Sequence, residues 1–109
     1  MIRVEGPRRR RMPRRARGRT PRLAAVRRRI DRFDERLLRL LNQRAQFALL
    51  IGRIKDRKQW PVFDARREAF VLRHVARVNR GPLSERAIRR IFQAILCECR
   101  RRQRRSGRK

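Results

Sequence analysis

The sequence has little acidic charge, almost no lysine and a single histidine. Nine aspartates and glutamates stand against 36 lysines and arginines in 109 residues, which gives a formal net charge of +27. All but three of these cations are arginines, the exceptions being Lys55, Lys58 and Lys109. A charge this large attracts nucleic acid or anionic membranes without any specific site. Composition alone therefore favours a polyanion-binding protein, although a GC-rich coding sequence would produce the same arginine excess.

The two cysteines, Cys97 and Cys99, are too few and too close together for a disulfide framework. Residues two positions apart on a helix point to different faces, so a bond between these two is not expected. His74 is the one histidine, and the sequence offers no second group of cysteines or histidines to complete a zinc site. We therefore expect reduced thiols and no metal.

Long apolar runs are also absent. No segment approaches the roughly 18 consecutive apolar residues of a membrane span. No apolar stretch follows the basic N-terminus before Leu23, which argues against a secretory signal. Together with the expected reduced thiols, this predicts a cytoplasmic protein without a membrane partner.

Both ends of the chain are basic and poor in apolar residues. Residues 1–21 contain three prolines and two glycines, and like-charge repulsion argues further for disorder. This segment is an arm that binds nucleic acid or another polyanion nonspecifically, a solvated tail, or an upstream extension from a misassigned start codon, with Met12 as another possible start. Residues 104–109 form a second basic tail, which leaves residues 22–103 as a single domain.

From Leu23 onward, apolar residues recur every three or four positions, as in an amphipathic helix. Thr20-Pro21 supplies a cap and a proline that a first turn tolerates, and no proline follows before Pro61. The pattern predicts a helix of roughly 35 residues and about 50 Å. A helix this long needs another long helix to cover its apolar stripe, so we expect a second chain. The stripe consists of Leu23, Val26, Ile30, Phe33, Leu37, Leu40, Leu41, Phe47, Ala48, Ile51 and Ile54.

Two shorter helices are predicted after the proline break. Asp64 is placed to cap a second helix from about Ala65 to Asn79, which Gly81-Pro82 would end. Ser84 is placed to cap a third helix, whose apolar face leads to Gln103. No segment alternates with the period of a strand, so the predicted fold is all-α with three helices.

Several charged residues lie where the helical pattern calls for apolar ones. Arg44 lies on the stripe of the first helix, and Lys55 follows eleven residues later on nearly the same face. Burying an unpaired cation costs several kcal/mol unless an anion meets it. Asp64 and Glu68 share a face of the second helix, and Gln103 continues the apolar line of the third. Each could be a snorkelling or surface-paired side chain, but together they indicate a pocket for a polyanionic small molecule.

Three segments resemble the AroQ chorismate mutases. Residues 23–55 are similar to the first helix of that family, with its Ile-Asp pair, double leucine, arginine and Gly-x-x-Lys. Residues 61–68, PVFDARRE, resemble the turn that opens the second helix, and residues 88–103 resemble the last helix, which ends in a catalytic glutamine or glutamate. The order and spacing of the three motifs make the resemblance specific.

The resemblance implies an intertwined all-α homodimer that needs no cofactor. Its activity would be the rearrangement of chorismate to prephenate, in the shikimate pathway to phenylalanine and tyrosine. Arg27 matches an arginine that reaches into the partner subunit's site. Arg44 matches one that holds a substrate carboxylate, and Lys55 matches a lysine that contacts a carboxylate and the ether oxygen. Gln103 matches the residue that hydrogen-bonds the ether oxygen. The implied catalytic set is Lys55, Gln103 and Arg44.

Four further positions match substrate-binding residues of the family. Asp64 and Glu68 match acidic residues near the substrate hydroxyl, and Arg67 matches a further active-site arginine. Cys99 stands where some members have a serine that touches the substrate, and we expect it to act mainly as a small packing residue.

The departures from the family pattern are surplus arginines at positions that usually vary, including Arg100 to Arg102 around Gln103. Three alternatives stay open. The first is a nucleic-acid-binding protein on this scaffold, although the basic runs lack interleaved aromatics. The second is a related lyase that acts on a different chorismate-derived acid. The third is a mutase that depends on a partner enzyme of aromatic biosynthesis.

Overall fold

A computed structural model describes the backbone of residues 20–107 and the side chains of residues 20–104. Within that part the chain forms three helices and no strand: α1 (Thr20–Lys58), α2 (Ala65–Val78) and α3 (Glu85–Gly107). The predicted all-α fold with one long N-terminal helix is therefore confirmed. Of the basic arm predicted for residues 1–21, residues 1–19 lie outside the described part of the chain. Arg108 and Lys109 of the predicted C-terminal tail also lie outside it.

Helix α1 has 39 residues and ends in a tight backbone turn. The N–H of Trp60 donates to the carbonyl of Lys55 at 2.8 Å, and that of Gln59 donates to Asp56 at 3.1 Å. These two bonds, with Gln59 at a φ of 60°, make a Schellman motif that satisfies the last carbonyls of the helix. The predicted break before Pro61 is thus confirmed, and the turn aims the connector toward α2.

Side-chain caps start α2 and α3 where the sequence predicts. Asp64 Oδ1 accepts from the backbone N–H of Arg67 at 3.0 Å, and Ser84 Oγ accepts from that of Ala87 at 3.0 Å. Helix α2 ends at Val78, one residue earlier than predicted, because Asn79 leaves the helical conformation as its C-cap.

Helix α3 continues to Gly107, four residues beyond the end predicted at Gln103. The expectation that helical structure stops at Gln103 is therefore wrong. The reason is that arginine is a good helix former and that neither proline nor glycine interrupts the sequence before Gly107.

The chain divides into two compact units, at residue 37 within α1. In the first unit, the apolar stripe of the helix is 40 to 56% exposed at each of its members. A stripe of this kind is normally covered by another helix. The members in this unit are Leu23, Val26, Ile30, Phe33 and Leu37.

In the second unit, residues 38–109, α2 packs against α3. The buried apolar side chains are few: Ala48 from α1, Val71 from α2, and Leu96 and Cys99 from α3. No helix of the described residues is long and apolar enough to cross a membrane.

Candidate active site

Three helices of the second unit and the connector before α2 enclose a cavity of about 370 Å³. A volume of this size suits a small organic ligand. Seven of the eight residues singled out from the sequence line it: Arg44, Lys55, Asp64, Arg67, Glu68, Cys99 and Gln103. The eighth, Arg27, is exposed on α1 in the first unit and is not among the lining residues. The remaining lining residues are Phe47, Ala48, Ile51, Val62, Leu96 and Arg100.

The close approach of α1 to α3 occurs at Gly52. This glycine is buried, and a Cβ added to it would lie 2.9 Å from the carbonyl oxygen of Gln103 and 3.0 Å from its Cα. Only a residue without a side chain allows the two backbones to come this near. Since Lys55 follows Gly52 by almost one turn, the same contact brings the lysine beside Gln103.

Lys55 is held by two acceptors from different segments. Its Nζ donates to the carbonyl oxygen of Val62 at 2.7 Å and to Gln103 Oε1 at 3.4 Å. An ammonium group has three N–H donors, so one remains for a ligand. The Nε2 donors of Gln103 make no hydrogen bond to residues 20–104 and are likewise available to a ligand. The cavity therefore presents a cation and an amide donor side by side.

Arg44 is fixed by Cys99. Its Nη1 donates to Cys99 Sγ at 3.3 Å, and Cys99 is only 7% exposed. Cys99 thus orients a guanidinium in addition to filling space, which is more than the packing role expected from the sequence. Both Cys97 and Cys99 are free thiols, as predicted.

The first turn of α2 supplies one wall of the cavity. Asp64 caps the helix through Oδ1, and Arg67 lies one turn later with its guanidinium 5.2 Å from the ring centroid of Phe70. Both side chains are exposed. They form the open rim of the cavity, where a charged ligand would enter.

Glu68 is paired with Arg100, which the sequence did not single out as a site residue. Arg100 Nε lies 2.9 Å from Glu68 Oε2, and Nη2 lies 3.4 Å from Oε1. In the sequence alone, Arg100 is one of many surplus arginines. Its position three residues before Gln103 places both on one face of α3, which is the sequence feature that could have identified it.

The ionisable groups of the cavity sum to a positive charge. Four cationic side chains (Arg44, Lys55, Arg67 and Arg100) and two acidic ones (Asp64 and Glu68) line it, a formal net charge of +2. Arginine forks and a lysine suit carboxylates, so the cavity matches a small dianion. Among the described residues, no group of three or more histidine, cysteine or acidic side chains is arranged to hold a metal ion.

The sequence is similar to those of known chorismate mutases. The family model for chorismate mutase type II matches residues 26–104. The chain is 40% identical over 82 residues to a bifunctional chorismate mutase/prephenate dehydratase of Pseudomonas aeruginosa, and 36% identical over 81 residues to one of Aquifex aeolicus. Each match covers 71% of this chain but 22% of the relative, so the chain spans about a fifth of the length of these relatives.

The fold is also similar to two solved chorismate mutase structures from Thermus thermophilus. The form II structure has a TM-score of 0.76 at 31% identity, covering 77% of this chain and 96% of that one. The form I structure has a TM-score of 0.70 at 32% identity, covering 72% and 98%. The family match, which spans the three helices and the cavity between them, shows that this chain belongs to the type II chorismate mutase family.

Proposed function

We propose that this chain catalyses the cofactor-free rearrangement of chorismate to prephenate. In that reaction one C–O ether bond breaks and one C–C bond forms within a single molecule, with no external nucleophile. The catalyst must hold a flexible dianion in its reactive conformer and stabilise negative charge on the ether oxygen. The observation that carries the proposal is the Lys55–Gln103 pair, 3.4 Å apart, in a cavity of net charge +2.

In this proposal the arginines bind the two carboxylates of chorismate. Arg44 is held in place by Cys99, so little side-chain freedom is lost when it binds a carboxylate. Arg67 stands at the rim of the cavity, where it can meet the incoming anion. A bidentate guanidinium restrains both the position and the plane of a carboxylate, which favours one conformer of the substrate.

Lys55 and Gln103 would act on the ether oxygen. Lys55 contributes the N–H left over after its bonds to Val62 and Gln103, and Gln103 contributes an Nε2 donor. Because these donors are already held in place, they stabilise charge that develops as the C–O bond lengthens without first having to reorganise. In this proposal Asp64 and Glu68 accept from the substrate hydroxyl.

The proposal extends to a homodimer in which Arg27 enters the partner subunit's cavity. The exposed stripe of α1 supports it, because five large apolar side chains in residues 20–37 are 40 to 56% exposed and a second α1 could cover them. Sedimentation of the wild type beside Ile30→Glu tests this. We expect a dimer that the variant weakens, while Arg32→Glu, on the opposite face of the helix, leaves it intact.

A partner enzyme that consumes prephenate fits the same proposal. The curated relatives are named for both chorismate mutase and prephenate dehydratase. Measuring kcat/KM with and without an added prephenate dehydratase tests whether such a partner raises the activity of this chain.

The test of the main proposal follows the ultraviolet loss of chorismate with purified protein. Lys55→Ala should lower kcat by about 10²- to 10³-fold, as loss of a preorganised donor does. Lys58→Ala is the matched control, because Lys58 is exposed on the same helix and its side chain lies over Trp60. Chromatography of the products separates prephenate from the pyruvate that a lyase would release. A folded wild-type protein without turnover would reject the proposal.

A further inference from the structure

The ion pair between Arg100 and Glu68 differs from the others in the described part of the chain. Its side chains are 25% and 21% exposed, and it joins α3 to α2. The pairs Arg89–Glu85 and Arg101–Glu98 lie within α3, and in each of them at least one side chain is 64% exposed or more. Surface pairs of that kind contribute little to stability. The Arg100–Glu68 pair, by contrast, forms part of the cavity wall.

A second contact fixes the Arg100 side chain. Its guanidinium lies 5.1 Å from the ring centroid of Phe63, within the distance at which a cation and an aromatic face attract each other. Phe63 belongs to the connector before α2. Arg100 is therefore held from two sides, by a ring face and by a carboxylate, and its fork restrains both oxygens of Glu68.

Glu68 presents a difficulty in a cavity that receives a dianion. A carboxylate beside two substrate carboxylates repels them, and an unfavourable pairing of like charges weakens binding. Asp64 repels the substrate less, because it is exposed to solvent and one of its carboxylate oxygens accepts from a backbone N–H of α2. Glu68 is more buried and needs a counter-charge that does not block its remaining lone pairs. A carboxylate has about four such sites, and Arg100 occupies two of them.

We propose that Arg100 is a positioning residue for substrate binding. It cancels the charge of Glu68 toward the two substrate carboxylates and turns the carboxylate so that it can accept from the substrate hydroxyl. This inference rests on the proposed function and adds to the site a residue that acts through Glu68.

Steady-state kinetics with chorismate tests the proposal. Arg100→Gln should raise KM by about tenfold and change kcat less than about threefold, since it removes binding shared by the ground and transition states. Arg100→Lys keeps the charge but loses the fork, so its KM should lie between those of the wild type and Arg100→Gln. Arg101→Gln, one residue further and paired on the exposed surface with Glu98, is the matched control and should behave as wild type.

A double variant separates the possible roles of Arg100. If Arg100 acts through Glu68, Arg100→Gln should raise KM less in the Glu68→Gln background than in the wild type. An equal rise of KM in the two backgrounds would show that Arg100 acts on the substrate itself, and would overturn the proposal.

Two further outcomes are distinguishable. Equal KM values for Arg100→Gln and Arg101→Gln, with an active wild type, would reject the proposed role of Arg100 and leave the proposed function standing. No turnover by wild type would reject the proposed function. Circular dichroism melting of each variant shows whether it is folded, and if Arg100→Gln is not, Arg100→Lys carries the same comparison.

Discussion

Gly52 and Gln103 are in backbone contact, so close that a Cβ on the first would lie 2.9 Å from the carbonyl oxygen of the second. This contact sets the distance between α1 and α3 at the level of Lys55. Because Lys55 follows Gly52 by almost one turn, the contact also sets the distance between Lys55 and Gln103, the two residues that act on one ether oxygen in the proposed function.

The first prediction concerns this contact. Gly52→Ala should lower kcat by about tenfold or more, because misplacement of a catalytic group by a fraction of an ångström to an ångström costs one to two orders of magnitude. Alanine has a helix propensity about 1 kcal/mol more favourable than that of glycine. At position 52, however, its methyl group would contact the backbone of Gln103, which cannot move away as a flexible side chain can. Kinetics and thermal melting measure both effects.

Gly81→Ala is the control for that experiment. Gly81 has a φ of +75° with open space around its Cβ position, so alanine there is strained but touches nothing. We expect a lower melting temperature and unchanged kcat. Wild-type kinetics for Gly52→Ala would contradict the assigned role of the contact.

The second prediction concerns pH. Gln103 does not titrate, so its Nε2 donor is present at every pH, and wild-type kcat/KM should vary little between mild acid and mild base. Gln103→Glu can donate only in its protonated form, so its kcat/KM should fall as the pH rises. Gln93→Glu, on an exposed part of α3, is the control. A steep pH dependence in the wild type would count against a donor role for Gln103.

The third prediction concerns Cys99. Cys99→Ser keeps an acceptor for Arg44 and should leave KM for chorismate within about threefold, whereas Cys99→Ala removes the acceptor and should raise KM by about tenfold. Cys97→Ala serves as the control for loss of a thiol on α3. If Cys99→Ala and Cys99→Ser have the same KM, the hydrogen bond does not orient Arg44 for binding.

The fourth prediction tests the cross-subunit role of Arg27 by mixing variants. Arg27→Ala and Lys55→Ala homodimers should each be nearly inactive. After unfolding and refolding together, about half of the dimers should be mixed and carry one intact site each, which restores about a quarter of wild-type activity if the arginine comes from the partner. Arg28→Ala in place of Arg27→Ala is the control and should be active alone. No recovery on mixing would place Arg27 outside the partner's site.

Much of the fold could be predicted from the sequence because the relevant forces are local. Apolar spacing of three and four predicts α1, and the polar side chains of Asp64 and Ser84 identify the starts of α2 and α3. The family motifs predicted seven of the residues that line the cavity, because the site residues within each motif are separated by a fixed number of positions.

The rest depends on how elements pack, which local pattern does not encode. Arg100 is one arginine among many until α2 and α3 come together and place Glu68 beside it. Gln59 closes α1 in a left-handed conformation usually taken by glycine, so composition gave no indication of that turn. The extension of α3 to Gly107 was not predicted because the basic tail suggests charge repulsion, whereas the helix propensity of arginine prevails there.

Asp64 has two roles, as the cap of α2 and, in the proposed function, as an acceptor for the substrate hydroxyl. Few side chains can fill both. As the cap of α2 it can be replaced by asparagine, serine or threonine with modest cost, but each of these has only one side-chain oxygen, so none keeps a second oxygen to accept from the substrate hydroxyl in the proposed function. Glutamate keeps both carboxylate oxygens but is not among the preferred N-cap residues. The set of residues that satisfies both requirements reduces to aspartate, so substitution tolerance at position 64 should be far lower than either role alone would suggest.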